Sequence, residues 1–142
     1  MENESIFEKV KSLGLNIGEY VVISGGVLES HGIRQAGDCD LVVTQKVFEK
    51  LALEGWEEFF KNDKFILYKD NFEASLNCNY NNYRPDSTFL INEADIIDGC
   101  AFASLNETIK FKKELGREKD NKDLQLIEEY LKNNPIERRS LP

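Results

Sequence analysis

Two carboxylates separated by a single residue, Asp38 and Asp40, stand at the head of an apolar run, Leu41-Val42-Val43. Residues i and i+2 of a strand face the same side, so the pair should point together. Like charges held close repel unless a cation lies between them. A divalent ion that prefers hard oxygen ligands, Mg²⁺ foremost, would satisfy both. Upstream, another apolar run, Val21-Val22-Ile23, ends in Ser24-Gly25-Gly26, with eleven residues between the glycines and Asp38. Glycines at a strand end permit close backbone approach, and a helix starting there would aim N–H groups at an anion. The residues thus describe a metal site beside a phosphate site. Each half has a plain structural alternative: Gly-Gly is often only a turn, and Asp-x-Asp a solvated strand start. Their order and spacing carry more than either alone.

Positioning these residues falls to the elements around them. Both apolar runs are short and rich in β-branched residues, which predicts buried strands over 20–24 and 38–43. Ile6, Phe7, Val10 and Leu13 recur at helical spacing and predict a helix over 4–13, stopped by Gly14. A short helix over 27–31 would end at Gly32 and leave His31 and Arg34 near the site. His31 there is either a general base or a helix-end cap, and Arg34 either a triphosphate ligand or a solvated cation. Thr44 should cap a helix carrying Val47, Phe48, Leu51 and Ala52. Trp56, Phe59 and Phe60, at near-helical spacing, are expected in the core.

Asp70-Asn71 between alternating apolar residues predicts a β-hairpin with arms over 64–68 and 72–78. The Asn-rich stretch 77–86 reads as a loop, in which Tyr80, Tyr83 and Arg84 either clamp a ligand or form ordinary surface. Segments 89–91 and 94–97 are expected to add an edge strand, with Asp98-Gly99 as a turn. Ser104 with Glu107 predicts a capping box on a helix ended by Gly116. Asp120 or Asn121 should start a last helix with Leu124, Ile127, Tyr130 and Leu131 facing inward, stopped before Pro135.

A chain of 142 residues fits one domain with a real core, here expected over 1–134, followed by a flexible tail over 135–142. Hydrophobic residues make up 41% and charged residues 31%, ordinary for a globular protein. No apolar run is long enough to span a bilayer, and the acidic start MENESIFEKV lacks the basic and apolar regions of a signal peptide, so a cytoplasmic protein is expected. The net charge of −8 argues against duplex nucleic acid as a partner, which usually calls for a basic excess. Cys39, Cys78 and Cys100 are odd in number and far apart, with His31 the sole histidine. They are expected as reduced, mostly buried thiols rather than zinc ligands.

The run from Ile23-Ser24-Gly25-Gly26 to Asp38-Cys39-Asp40-Leu41 resembles the core motif of the polymerase-β-type nucleotidyltransferase superfamily. Near the C-terminus, Phe102-Ala103-Ser104-Leu105 leads through Lys110 and Lys113 to Gly116-Arg117-Glu118-Lys119-Asp120 and Asp123. That pattern is similar to the tail of small stand-alone bacterial members, so the resemblance covers about residues 20–132. It implies an α/β (α+β) fold, a small mixed β-sheet flanked by helices. It also implies transfer of a nucleoside monophosphate from a nucleoside triphosphate to a hydroxyl acceptor, with one or two Mg²⁺ ions held by Asp38 and Asp40. Ser24, Gly25 and Gly26 would cradle the β- and γ-phosphates. The superfamily supplies a third carboxylate from a later strand, and Glu73, between Phe72 and Ala74, matches it as metal ligand or base. Many members carry Asp there. Lys110 and Lys119 would bring positive charge to the phosphates alongside Arg34, while Asp120 and Asp123 would serve structure.

The acceptor that the resemblance implies is a small molecule, a protein side chain or an RNA end. A chain this short must recognise it through loops, a dimer interface or a partner. Two other classes fit the same residues. One is a nucleotide-binding or regulatory protein of the same fold with weak or lost turnover, consistent with Gly26 where Ser is common. The other is an acidic partner in a toxin–antitoxin-type pair, with the charge of −8 steering a basic protein.

Overall fold

The computed structural model describes residues 4–134. The expected tail over 135–142 lies outside the described residues. Ser5 opens helix α1 (Ile6–Ser12): its hydroxyl accepts from the Glu8 N–H while the Glu8 carboxylate accepts from the Ser5 N–H. Strand β1 (Tyr20–Ile23) is buried along its length and runs into helix α2 (Gly25–Ser30). Strand β2 (Cys39–Val43) follows, then helix α3 (Gln45–Leu53), whose cap is Thr44 as its hydroxyl predicts.

Three strands come next: β3 (Glu57–Lys61), β4 (Lys64–Lys69) and β5 (Phe72–Ser75). Helix α4 (Ser87–Asn92), strands β6 (Asp95–Ile97) and β7 (Cys100–Phe102), and helices α5 (Leu105–Leu115) and α6 (Glu118–Asn133) follow among the described residues. The result is a mixed α+β fold on a seven-stranded sheet of order β3-β4-β5-β2-β1-β7-β6. Its centre is mixed: β1 and β2 are antiparallel, while β2–β5 and β1–β7 are parallel. Parallel neighbours are buried on both faces, which explains the unbroken apolar runs in β1 and β2. The buried Tyr20 hydroxyl accepts from the Ala101 N–H at 3.0 Å and ties β1 to β7. All three cysteines are free and buried. Among the described residues, no helix is long and apolar enough to cross a membrane.

Four expectations change. Trp56 is buried, but Phe59 and Phe60 sit exposed on β3 rather than in the core. Their near-helical spacing is overridden by Asn62 and Asp63, which both take left-handed φ (55° and 65°), the pattern of a two-residue hairpin turn. Residues 89–91 are helical, not part of an edge strand, because the Asp86 carboxylate accepts from the Thr88 N–H and starts α4. At α5 the Ser104 hydroxyl accepts from the Glu107 N–H, but Glu107 turns its carboxylate to Tyr83 and Lys110 instead of closing the box. The last helix begins earlier than expected, at Glu118, with Asp120 in its first turn accepting from the Arg117 N–H at 3.1 Å.

Candidate functional site

Strand register builds the centre of the site. Asp40 on β2 is directly opposite Ile23 on β1 and Glu73 on β5. Registered partners project from the same face of a sheet, so Asp40 and Glu73 stand side by side there. Tyr68, registered to Glu73 across β4, shares that face. Asp38 lies in the bend just before β2, exposed, and lines the same cleft of about 420 Å³. That volume is within the range of small-molecule sites.

Burial first, and then the neighbouring charges of Glu73 and Asp38, raise the Asp40 carboxyl to about 7 against the opposing pull of Lys112 and Lys119. Asp40 therefore stands near half-ionisation at neutral pH unless a cation compensates it.

Ser24 and Gly25 line the cleft at the end of β1. Ser24 holds φ 62° and ψ −128°, a backbone state that non-glycine residues rarely adopt. Gly26 has a different part. It is buried, and a Cβ there would lie 2.5 Å from the Val22 side chain and 3.2 Å from Ile6. Its lack of a side chain lets α2 seat on β1 and α1, and it does not line the cleft.

The far wall is an ion network between α5, α6 and the loop after α2. Lys112, 2% exposed, donates to Ser24 Oγ at 3.4 Å and pairs with Asp123 at 2.9 Å and Asp120 at 3.5 Å. Arg34 grips Asp123 through Nε and Nη2, both at 2.7 Å, and its Nη1 donates to the Gln35 carbonyl. Arg117 grips Asp120 at 2.6 and 3.1 Å. Burial alone would raise the carboxyls of Asp120 and Asp123. The bonds from Arg117 to one, and from Arg34 and Lys112 to the other, outweigh it and hold both below the usual range.

The expected site residues divide accordingly. Asp38, Asp40, Glu73, Ser24, Gly25, Arg34 and Lys119 come together in the cleft. Arg34 is committed to Asp123 rather than open to a triphosphate. Lys110 points elsewhere: it pairs with Glu107 at 3.1 Å and lines a separate cavity of about 240 Å³ with Phe89 and Glu93. The reason is helical phase, since Lys110 lies roughly 200° around α5 from Lys112. Lys112 itself escaped the sequence reading, although Leu105, Thr108 and Lys112 follow the spacing of one buried face. His31 packs edge-on to Tyr130 at 5.6 Å and does not line the cleft. Of the loop residues Tyr80 lines the cleft, while Tyr83 donates to Glu107 at 2.8 Å and Arg84 to the Asn81 carbonyl at 3.3 Å.

The hairpin adds Lys61 and Lys64, so six cationic side chains face four carboxylates in this cleft of an otherwise acidic chain. That inversion suits a ligand carrying several negative charges. Among the described residues, no three His, Cys, Asp or Glu side chains are gathered as a complete metal-binding set. The donor chemistry of Asp38 and Asp40 nevertheless fits Mg²⁺, which commonly takes one or two protein carboxylates and fills its octahedron with phosphate oxygens and water. The chain matches no family model, no curated protein and no solved structure.

Proposed function

We propose that this chain is a minimal metal-dependent nucleotidyltransferase of the polymerase-β type, moving a nucleoside monophosphate from a nucleoside triphosphate to an acceptor hydroxyl. One observation carries the reading: Asp40 and Glu73 lie in register on parallel strands beside the Ser24–Gly25 turn, inside a cleft whose cationic side chains outnumber its carboxylates. Asp38 and Asp40 would hold Mg²⁺, as one or two ions. When bound, Mg²⁺ would screen the triphosphate charge and polarise the phosphoryl group under attack. The Ser24 hydroxyl and the backbone around Gly25 would meet the phosphates, with Lys119 neutralising their outer oxygens. Glu73, next to Asp40, would accept the proton of the acceptor hydroxyl as its oxygen bonds to the α-phosphorus and pyrophosphate departs.

Calorimetric titration of ATP, GTP, CTP and UTP, each with Mg²⁺ and with EDTA, tests the reading. Saturable binding of at least one nucleotide, dependent on Mg²⁺, is expected. It should vanish in the Asp38→Ala/Asp40→Ala double variant while far-UV circular dichroism stays that of the parent. If no nucleotide binds at millimolar concentration, or if the double variant binds as well as the parent, the reading fails. Binding without label transfer to any acceptor would instead favour a nucleotide-sensing protein of the same fold.

A further inference from the structure

Among the described residues, strand β3 ends the sheet, with β4 as its neighbour on one side. All of its residues, Glu57-Glu58-Phe59-Phe60-Lys61, are exposed. Phe59 is 49% exposed, Phe60 63%, and Phe65 across the turn 55%. An open edge bearing large apolar side chains pairs with another strand unless something covers it. We infer that the cover is the same edge of a second copy, in an antiparallel two-fold pairing that joins the two sheets into one.

Symmetry limits how two such edges can meet. Antiparallel apposition of identical edges reverses both the strand direction and the outward direction, so the two sheets keep the same face on the same side. Only residues of the same parity can then stand opposite one another. Three such registers overlap most of the strand. Placing Glu58 opposite itself sets like charges against each other. Placing Phe60 opposite itself sets Phe59 against Lys61 and Glu57 against Asp63, again two acids. Placing Phe59 opposite itself sets Glu57 against Lys61 twice, flanking a central Phe59–Phe59 contact on one face. That register alone pairs opposite charges, and the sequence Glu57-Glu58-Phe59-Phe60-Lys61 is therefore complementary to itself. Phe59 already packs edge-on to Tyr68 at 5.3 Å, so the contact would continue an existing aromatic cluster. Lys61 also lines the cleft, which places the seam at the rim of the candidate site. The pairing does not depend on what the cleft binds.

Sedimentation equilibrium of the full chain over a wide concentration range tests the dimer, with far-UV circular dichroism confirming that each variant is folded. A reversible dimer is expected. Lys61→Glu and Glu57→Lys should each weaken it roughly tenfold or more, since two attractive cross-strand pairs become repulsive. The double variant Glu57→Lys/Lys61→Glu should recover most of the loss, because it restores both pairs with their signs exchanged. A monomer up to millimolar concentration, a dimer indifferent to the single changes, or a double variant no tighter than the singles would each overturn the inference.

Discussion

Asp40 is the residue on which the chemistry and the stability of the site meet. Its folded pKa of about 7 lies above the ordinary carboxylate value, so between roughly pH 4 and pH 7 the folded state holds a proton that the unfolded state has released. The raised carboxyl therefore contributes stability at low pH and loses it as pH rises through about 7. Asp40→Asn removes that loss, and in EDTA the variant should exceed the parent by on the order of 1–2 kcal/mol at about pH 8, after allowance for solvent screening. The difference should shrink toward pH 5, and urea melts at the two pH values would measure it. Addition of Mg²⁺ should narrow the gap at the higher pH, because a bound cation relieves the parent alone. Glu73 has a different signature. Glu73→Ala should lower turnover more than nucleotide affinity, and equal turnover would return it to an ordinary strand residue.

A buried ion network links the elements behind the site in addition to their apolar packing. Lys112 joins α5 to α6 through Asp120 and Asp123 and reaches Ser24 at the head of α2. Lys112→Met should cost about 2–3 kcal/mol, below the usual cost of an orphaned buried charge, because each aspartate keeps an arginine. Asp123→Ala takes from Arg34 the carboxylate it grips and leaves the buried Lys112 with only the longer contact to Asp120, and should cost about 3–5 kcal/mol. Shifts of the urea midpoint at constant slope would report both. The two glycines should separate in the same assay. Gly26→Ala forces a methyl into Val22 and should lose about 1–3 kcal/mol, whereas Gly25→Ala crowds chiefly the Arg34 guanidinium, at 3.3 Å, and should affect ligand binding first.

How much of this the sequence announces depends on the range of the cause. The capped helices and the two central strands are legible because capping and alternation are local rules, whereas Asp38 falls in the bend before β2 and not on the strand that carries Asp40. Glu73 enters only through the resemblance, as a carboxylate on a later strand, because pairing between distant strands obeys no local rule; the register that sets it opposite Asp40 is visible only in the folded sheet. The β3 hairpin was hidden because Trp56, Phe59 and Phe60 mimic a helical stripe, and the Asn62-Asp63 turn that decides otherwise carries no glycine. Lys112 was hidden because a buried lysine makes sense only once Asp120 and Asp123, from the next helix, are in place around it.

At the scale of the whole molecule, a net charge of −8 surrounds a cationic cleft. Anionic ligands should thus bind with an affinity that falls as salt shortens the screening length below about 10 Å. Mg²⁺ and nucleotide at about one hundred times their dissociation constant should add about 2.7 kcal/mol of stability, visible as a raised melting temperature. Cys39 lies between the two aspartates in sequence but on the opposite face of β2, fully buried, with burial pushing its thiol up to about 12. A thiol so placed reacts with an alkylating reagent only when local opening uncovers β2, whether the strand parts from its neighbours or the packing on its buried face lifts. Its labelling rate in the native protein is therefore a clock for the opening of the strand that carries Asp40, and a ligand clasped by that strand should slow the clock.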